Sequence, residues 1–120
     1  MEINIFEFST IKIAEIISDK IEISNTQDAL EIIVNCLYQG SDKLIIYERN
    51  IIPTFFDLKT CLAGDIFQKF SNYQAQLAIV GDFSKYSSKS LNDFIYESNK
   101  HGQINFVGSI DEAKECLTKK

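Results

Sequence analysis

Two short apolar runs, in KLIIYE (from Lys43) and QLAIVGDF (ending at Phe83), narrow the fold more than any other feature of the chain. Each is bounded by turn residues and lacks the in-and-out alternation of a strand with one wet face. Runs of that kind belong to parallel strands covered on both sides. Parallel neighbours cannot be joined by a hairpin; they need a long crossover, usually helical. The stretch between the runs supplies one. Phe55, Leu58, Leu62 and Ile66 fall on one ridge of a helix, and Ala63, Phe67 and Phe70 widen it to about half the circumference. Behind Pro53, Thr54 and Asp57 stand at capping-box spacing, which sets the expected start of that helix.

The rest of the chain repeats the logic. Ile3, Ile5, Phe6 and Phe8 roughly alternate, Ser9-Thr10 makes a turn, and Ile11, Ile13 and Ile16 begin a second strand. Strands joined so tightly are antiparallel. Asn25 with Asp28 opens a helix carrying Leu30, Ile33, Val34 and Leu37, and Gly40 sits where a helix ends in a left-handed residue. Ser90 or a neighbouring serine caps a helix with Leu91, Phe94 and Ile95, ending at Lys100, His101 and Gly102. QINFVGS is the fifth strand, and Ser109 with Glu112 caps the last helix. The order is β-β-α-β-α-β-α-β-α. The expected fold is α/β: a single five-stranded, mixed, mostly parallel sheet flanked by four helices, in one domain over 1–120.

Composition bounds the partners. The 120 residues carry a net charge of −5, which disfavours nucleic acid and anionic membrane, and no basic patch overrides it. No window reaches the roughly 18 apolar residues of a membrane span. The acidic, alternating N-terminus is unlike a signal peptide. Cys36, Cys61 and Cys116 are widely spaced and odd in number, the usage of a reducing cytoplasm.

The stretches IAEIISD, DALEIIVNCLYQG, FFDLKTCLAGDIFQKFSNY, LAIVGDFSKYSSKSLNDFIYESNK and INFVGS resemble a bacterial family known only as domain of unknown function 4180. The order of elements also resembles the STAS domain of the anti-sigma-factor antagonists. That resemblance implies docking to another protein near the start of the second helix, where such antagonists are phosphorylated on a serine. LKTCLAG puts Thr60 nearest that serine, with Cys61 in place of a glycine and Lys59 in place of a serine.

Two sets of candidate residues follow. Ile52, Phe55 and Phe56 crowd a loop and a first helical turn, and an aromatic left exposed there marks a partner surface; Asp57 and Thr60 beside them suit a regulatory hydroxyl at a helix N-terminus. The alternative is a small-ligand or catalytic site using Glu48, Arg49, Asp82 and Ser84 around the ends of the parallel strands, where open α/β sheets bind ligands. The ordinary reading of each is a cap or a solvated loop. GDFSKYSSKS lacks the second glycine of a phosphate loop. His101, the one histidine, suits a helix C-terminus, and three scattered cysteines make no closed zinc site. The expectation is therefore a cytoplasmic regulatory or interaction module with a protein partner, no cofactor and no metal, leaving a homodimer open.

Overall fold

Ser9 and Thr10 both adopt positive φ, 53° and 68°, the backbone of a tight hairpin turn whose twist matches that of the strands it joins. It connects β1 (Glu2–Phe8) to β2 (Ile11–Ile17), paired antiparallel from Glu2 opposite Ile17 to Phe8 opposite Ile11. The computed structural model describes residues 1–119. After the hairpin come α1 (Thr26–Tyr38), β3 (Lys43–Tyr47), α2 (Leu62–Asn72), β4 (Gln76–Val80), α3 (Lys89–His101), β5 (Ile104–Val107) and α4 (Ile110–Thr118). The strands lie in the order β1-β2-β3-β4-β5, with every pairing after the first parallel. The sheet therefore steps one strand at a time in one direction. Crossovers of a single hand then put their helices on one face.

The register bears this out. Leu44, Ile46, Leu77, Ile79, Ile104 and Phe106 bury against α1, α2 and α3. Ile13, Ile45 and Ala78, one residue out of phase, bury on the opposite face against Ala113 and Leu117 of α4. The period of two in each strand supplies both faces.

Local signals set most helix ends. Asn25 Oδ1 accepts from the Asp28 N–H at 2.8 Å, and Ser109 Oγ accepts from the Glu112 N–H at 3.2 Å. Ser88, two places before Ser90, caps α3 through the Leu91 N–H. Gly102 ends α3 at φ 87°. The second helix differs from expectation. Pro53–Phe56 and Leu58–Thr60 are separate 3-10 turns, and α2 begins only at Leu62. Asp57 accepts from the Lys59 N–H instead of forming a capping box with Thr54. Cys61 then takes φ 64°, a left-handed residue that no continuous helix accommodates.

An aromatic row runs through the helical face. Tyr86 stacks on Phe56 at 5.1 Å, Phe56 meets Phe83 at 6.0 Å, and Phe83 meets Phe106 edge-on at 5.2 Å. Phe106 continues to Phe94 at 6.4 Å, and Phe94 to Phe67 at 5.0 Å. These spacings are those of favourable aromatic pairs.

Candidate functional site

The carboxyl ends of β3 and β4 carry the charged chemistry of the chain. β3 passes directly into a 3-10 turn, Glu48–Asn50, so Glu48 and Arg49 leave the strand in different directions. Glu48 lies back across the end of β4, its side chain only 14% exposed. It fits because residue 81 is glycine: a Cβ there would stand 2.6 Å from Glu48 Oε1 and 2.7 Å from its Cβ. The Tyr86 hydroxyl donates to Glu48 Oε2 at 2.6 Å, and Lys85 Nζ pairs with the same oxygen at 2.7 Å. Burial first, then this carboxylate, pushes the Tyr86 phenol well above its ordinary range.

Arg49 takes the other direction. Its guanidinium stacks over the Tyr47 ring, 4.6 Å from the centroid, and among the described residues it pairs with no carboxylate. Tyr47 in turn donates to Glu15 Oε2 on β2. Burial and that neighbouring carboxylate push its phenol up to about 12.

Asn50 builds the wall. Fully buried, it donates through Nδ2 to the Ser18 and Lys20 carbonyls at 3.0 and 2.8 Å. Its own carbonyl accepts from the Glu22 and Ile23 N–H groups. The segment after β2 is thereby held across the end of β3, which places Ile21 at the site. The two carbonyls fix the orientation of the amide, and Asn50 Oδ1 is left buried without a hydrogen-bond partner.

Beside these groups lies a cleft of about 270 Å³. Ile21, Ile51, Pro53 and Phe56 give it apolar walls, and Glu48, Arg49, Lys85 and Tyr86 its polar ones. With Glu48 matched by Lys85, Arg49 is the lining residue whose charge has no ion-pair partner among the described residues.

The structure sorts the candidate residues. Glu48 and Arg49 line the cleft. Asp82 and Ser84 do not; they close a turn of their own, Asp82 Oδ1 accepting from both the hydroxyl and the N–H of Ser84. Those bonds hold the Asp82 carboxyl below its ordinary value. Phe55 and Phe56 are 2% and 7% exposed, so the aromatic surface expected in NIIPTFF is absent. The 3-10 turn rotates Phe55 toward Phe106 and Phe56 onto Tyr86. Ile52 is half-buried, while Asp57 and Thr60 are exposed. Thr60 lies in a turn before the helix, not on its polar edge. Its hydroxyl is shared between the Thr54 and Asp57 carbonyls, at 2.9 and 2.8 Å, and accepts from the Leu62 N–H at 3.3 Å.

Sequence reasoning missed Lys85, Tyr86 and Asn50. The first two stood in what read as a solvated loop, and no local pattern announces that they fold back 37 and 38 residues onto Glu48. Among the described residues no three His, Cys, Asp or Glu side chains gather as metal ligands, and no helix is long and apolar enough to cross a membrane. The family model described as "Domain of unknown function (DUF4180)" matches residues 8–117. No curated protein matches the sequence.

Proposed function

The chain belongs to the DUF4180 family, and on that premise we propose that it is a non-catalytic binding module whose strand-end cleft takes a small organic anion, a carboxylate on an apolar body. One observation carries this: the single arginine of the chain, Arg49, has no carboxylate partner among the described residues and lines a cleft whose own carboxylate is already held by Lys85. A guanidinium receives a carboxylate through two parallel hydrogen bonds, with more geometric selectivity than an ammonium. Phe56, Pro53 and Ile51 suit the apolar body of such a ligand. The carboxyl ends of parallel strands are where open α/β sheets bind ligands. Glu48 and Asp82 are each engaged by neighbours, which supports binding over acid-base work.

Benzoate is a suitable probe. Titrated into isotope-labelled protein, it should shift the amide resonances of residues 48–56 and 85–86, and Arg49→Gln should weaken binding about tenfold, or roughly 1.4 kcal/mol. Shifts clustered elsewhere, or wild-type affinity in Arg49→Gln, would remove the proposal.

A second, regulatory role is favoured by the exposed turn Asp57–Cys61, which follows directly on Phe56 of the cleft wall. Here the STAS-like reading applies: another protein docks on Asp57, Thr60 and the half-buried Ile52, and occupancy of the cleft alters that docking through Phe56. Modification of Thr60 would remove the hydroxyl proton it donates to the Thr54 and Asp57 carbonyls and so rearrange the turn. Thr60→Glu should therefore lower stability by about 1–2 kcal/mol, as loss of a cap does, and weaken partner binding. A variant that melts and binds as wild type ends this reading.

A further inference from the structure

A second concavity, unrelated to the charged cleft, lies between α2 and α3 and encloses about 410 Å³. Phe67 and Phe94 form its apolar wall, their rings 5.0 Å apart and tilted by 38°, with Ile104 also lining it. Three features mark it as more than a seam between helices. Ser98 lines the recess and is 6% exposed. Its hydroxyl nevertheless makes no side-chain hydrogen bond to any described residue, although helical serines commonly bond back to the carbonyl one turn earlier. Gln103, also lining the recess, donates through Nε2 to the Phe70 and Ala75 carbonyls. Those bonds fix the amide and leave its oxygen as an unengaged acceptor. Finally, Gly64 of α2 has nothing within 4 Å of the position its Cβ would occupy and no left-handed φ. Glycine within a helix weakens it relative to alanine, and no neighbour here demands one. What its bareness does is keep the recess open.

The polar character of the recess selects the occupant. Glu97 and the Gln103 oxygen are acceptors, and Ser98 can accept as well; Glu97 has no ion-pair partner among the described residues. Apart from His101, Glu97 is the one titratable side chain of the lining, which makes an anion the poorer fit. We propose that this recess binds a planar heteroaromatic amine, its ring laid on Phe67 and Phe94 and its N–H groups donated to Ser98, Gln103 and Glu97. Stacking on an aromatic wall supplies affinity. These acceptors supply selectivity, because a ring without N–H groups would cover them on binding and leave them unpaired.

The probe is 2-aminopurine, whose fluorescence falls when its ring stacks on an aromatic; the chain holds no tryptophan to interfere. Wild-type protein should quench it saturably. Gly64→Leu, which fills the recess from an open position on the helix, should lower affinity at least tenfold without lowering the melting temperature. Ser98→Ala should weaken binding several-fold. Arg49→Gln should leave it unchanged, which separates this site from the cleft. No saturation at millimolar probe overturns the proposal. So does wild-type affinity in both Gly64→Leu and Ser98→Ala, or a loss confined to Arg49→Gln.

Discussion

The two ends of the parallel strands are finished in opposite ways. At the amino ends, neutral side chains close the backbone. The buried Ser41 hydroxyl is shared between the Lys12 and Lys43 carbonyls, Gln76 donates to the Gly102 carbonyl, and Asn105 donates to those of Leu77 and Gly102. Gln103 joins them through Phe70 and Ala75. In each case the side-chain donor meets a main-chain carbonyl at or just before the start of a strand. At the carboxyl ends stand Glu48, Arg49, Asp82 and Lys85, with a buried Asn50 oxygen unsatisfied. Buried polar atoms are nearly always paired, so the lone Asn50 oxygen, together with an Arg49 that has no ion-pair partner among the described residues, sets the carboxyl ends apart. On the reading proposed above, the anion cleft belongs to the carboxyl ends, while these neutral side chains support the sheet at the amino ends.

Substitutions sharpen that contrast, beginning with the support both ends share. Phe55, 2% exposed beneath the charged end, should cost about 3–5 kcal/mol when cut to alanine, as buried phenylalanines do; chemical denaturation measures it. At the amino end, Asn105→Leu removes the side-chain donor to the Leu77 carbonyl and one of the two to the Gly102 carbonyl, and should cost about 1–3 kcal/mol. At the charged end, Gly81→Ala forces Glu48 off β4 and away from Tyr86. Its signature is the loss of anion binding at the cleft together with a shift of the Tyr86 ring resonances. If Asn105→Leu also abolished benzoate binding while Gly81→Ala spared it, the division of labour between the ends would be wrong.

Alkaline pH probes the charged end separately. Tyr47 and Tyr86 have folded-state pKa values raised above the ordinary 10.0, Tyr47 to about 12, by burial first and then by the Glu15 and Glu48 carboxylates. For an acid with a raised pKa, the unfolded chain loses its proton first. The stabilisation is therefore whole below about pH 10 and falls as pH climbs toward 12. Tyr47→Phe with Tyr86→Phe should flatten that decline in melts taken across the window. The smallest effect is expected at the recess, where Gly64→Ala should raise stability by about 0.5–1 kcal/mol, since nothing there requires glycine.

Much of this architecture is legible in the linear pattern. The antiparallel edge follows from a two-residue turn, the parallel core from KLIIYE and QLAIVGDF, and the caps at Asn25 and Ser109 from residues three positions apart. Such signals are local, so composition and spacing carry them. The second helix is the instructive exception. Its apolar ridge from Phe55 to Ile66 has helical period, yet the chain breaks it with two 3-10 turns and a left-handed Cys61. Tertiary packing of Phe55 and Phe56 against β5 and Tyr86 overrode the periodicity.

The sequence by itself determined the order of elements, the two-faced sheet and the placing of Glu48 and Arg49 at a strand end, because each depends on residues a few positions apart. Only the tertiary structure decided that Lys85 and Tyr86 return to Glu48, that Asn50 holds the Ser18–Lys20 segment against the cleft, and that the phenylalanines of NIIPTFF lie inside. Those contacts join residues some thirty or more positions apart, or turn a side chain by a local break in the helix. Their free energy exists only once the sheet has brought the partners together, and no pattern along the chain records it.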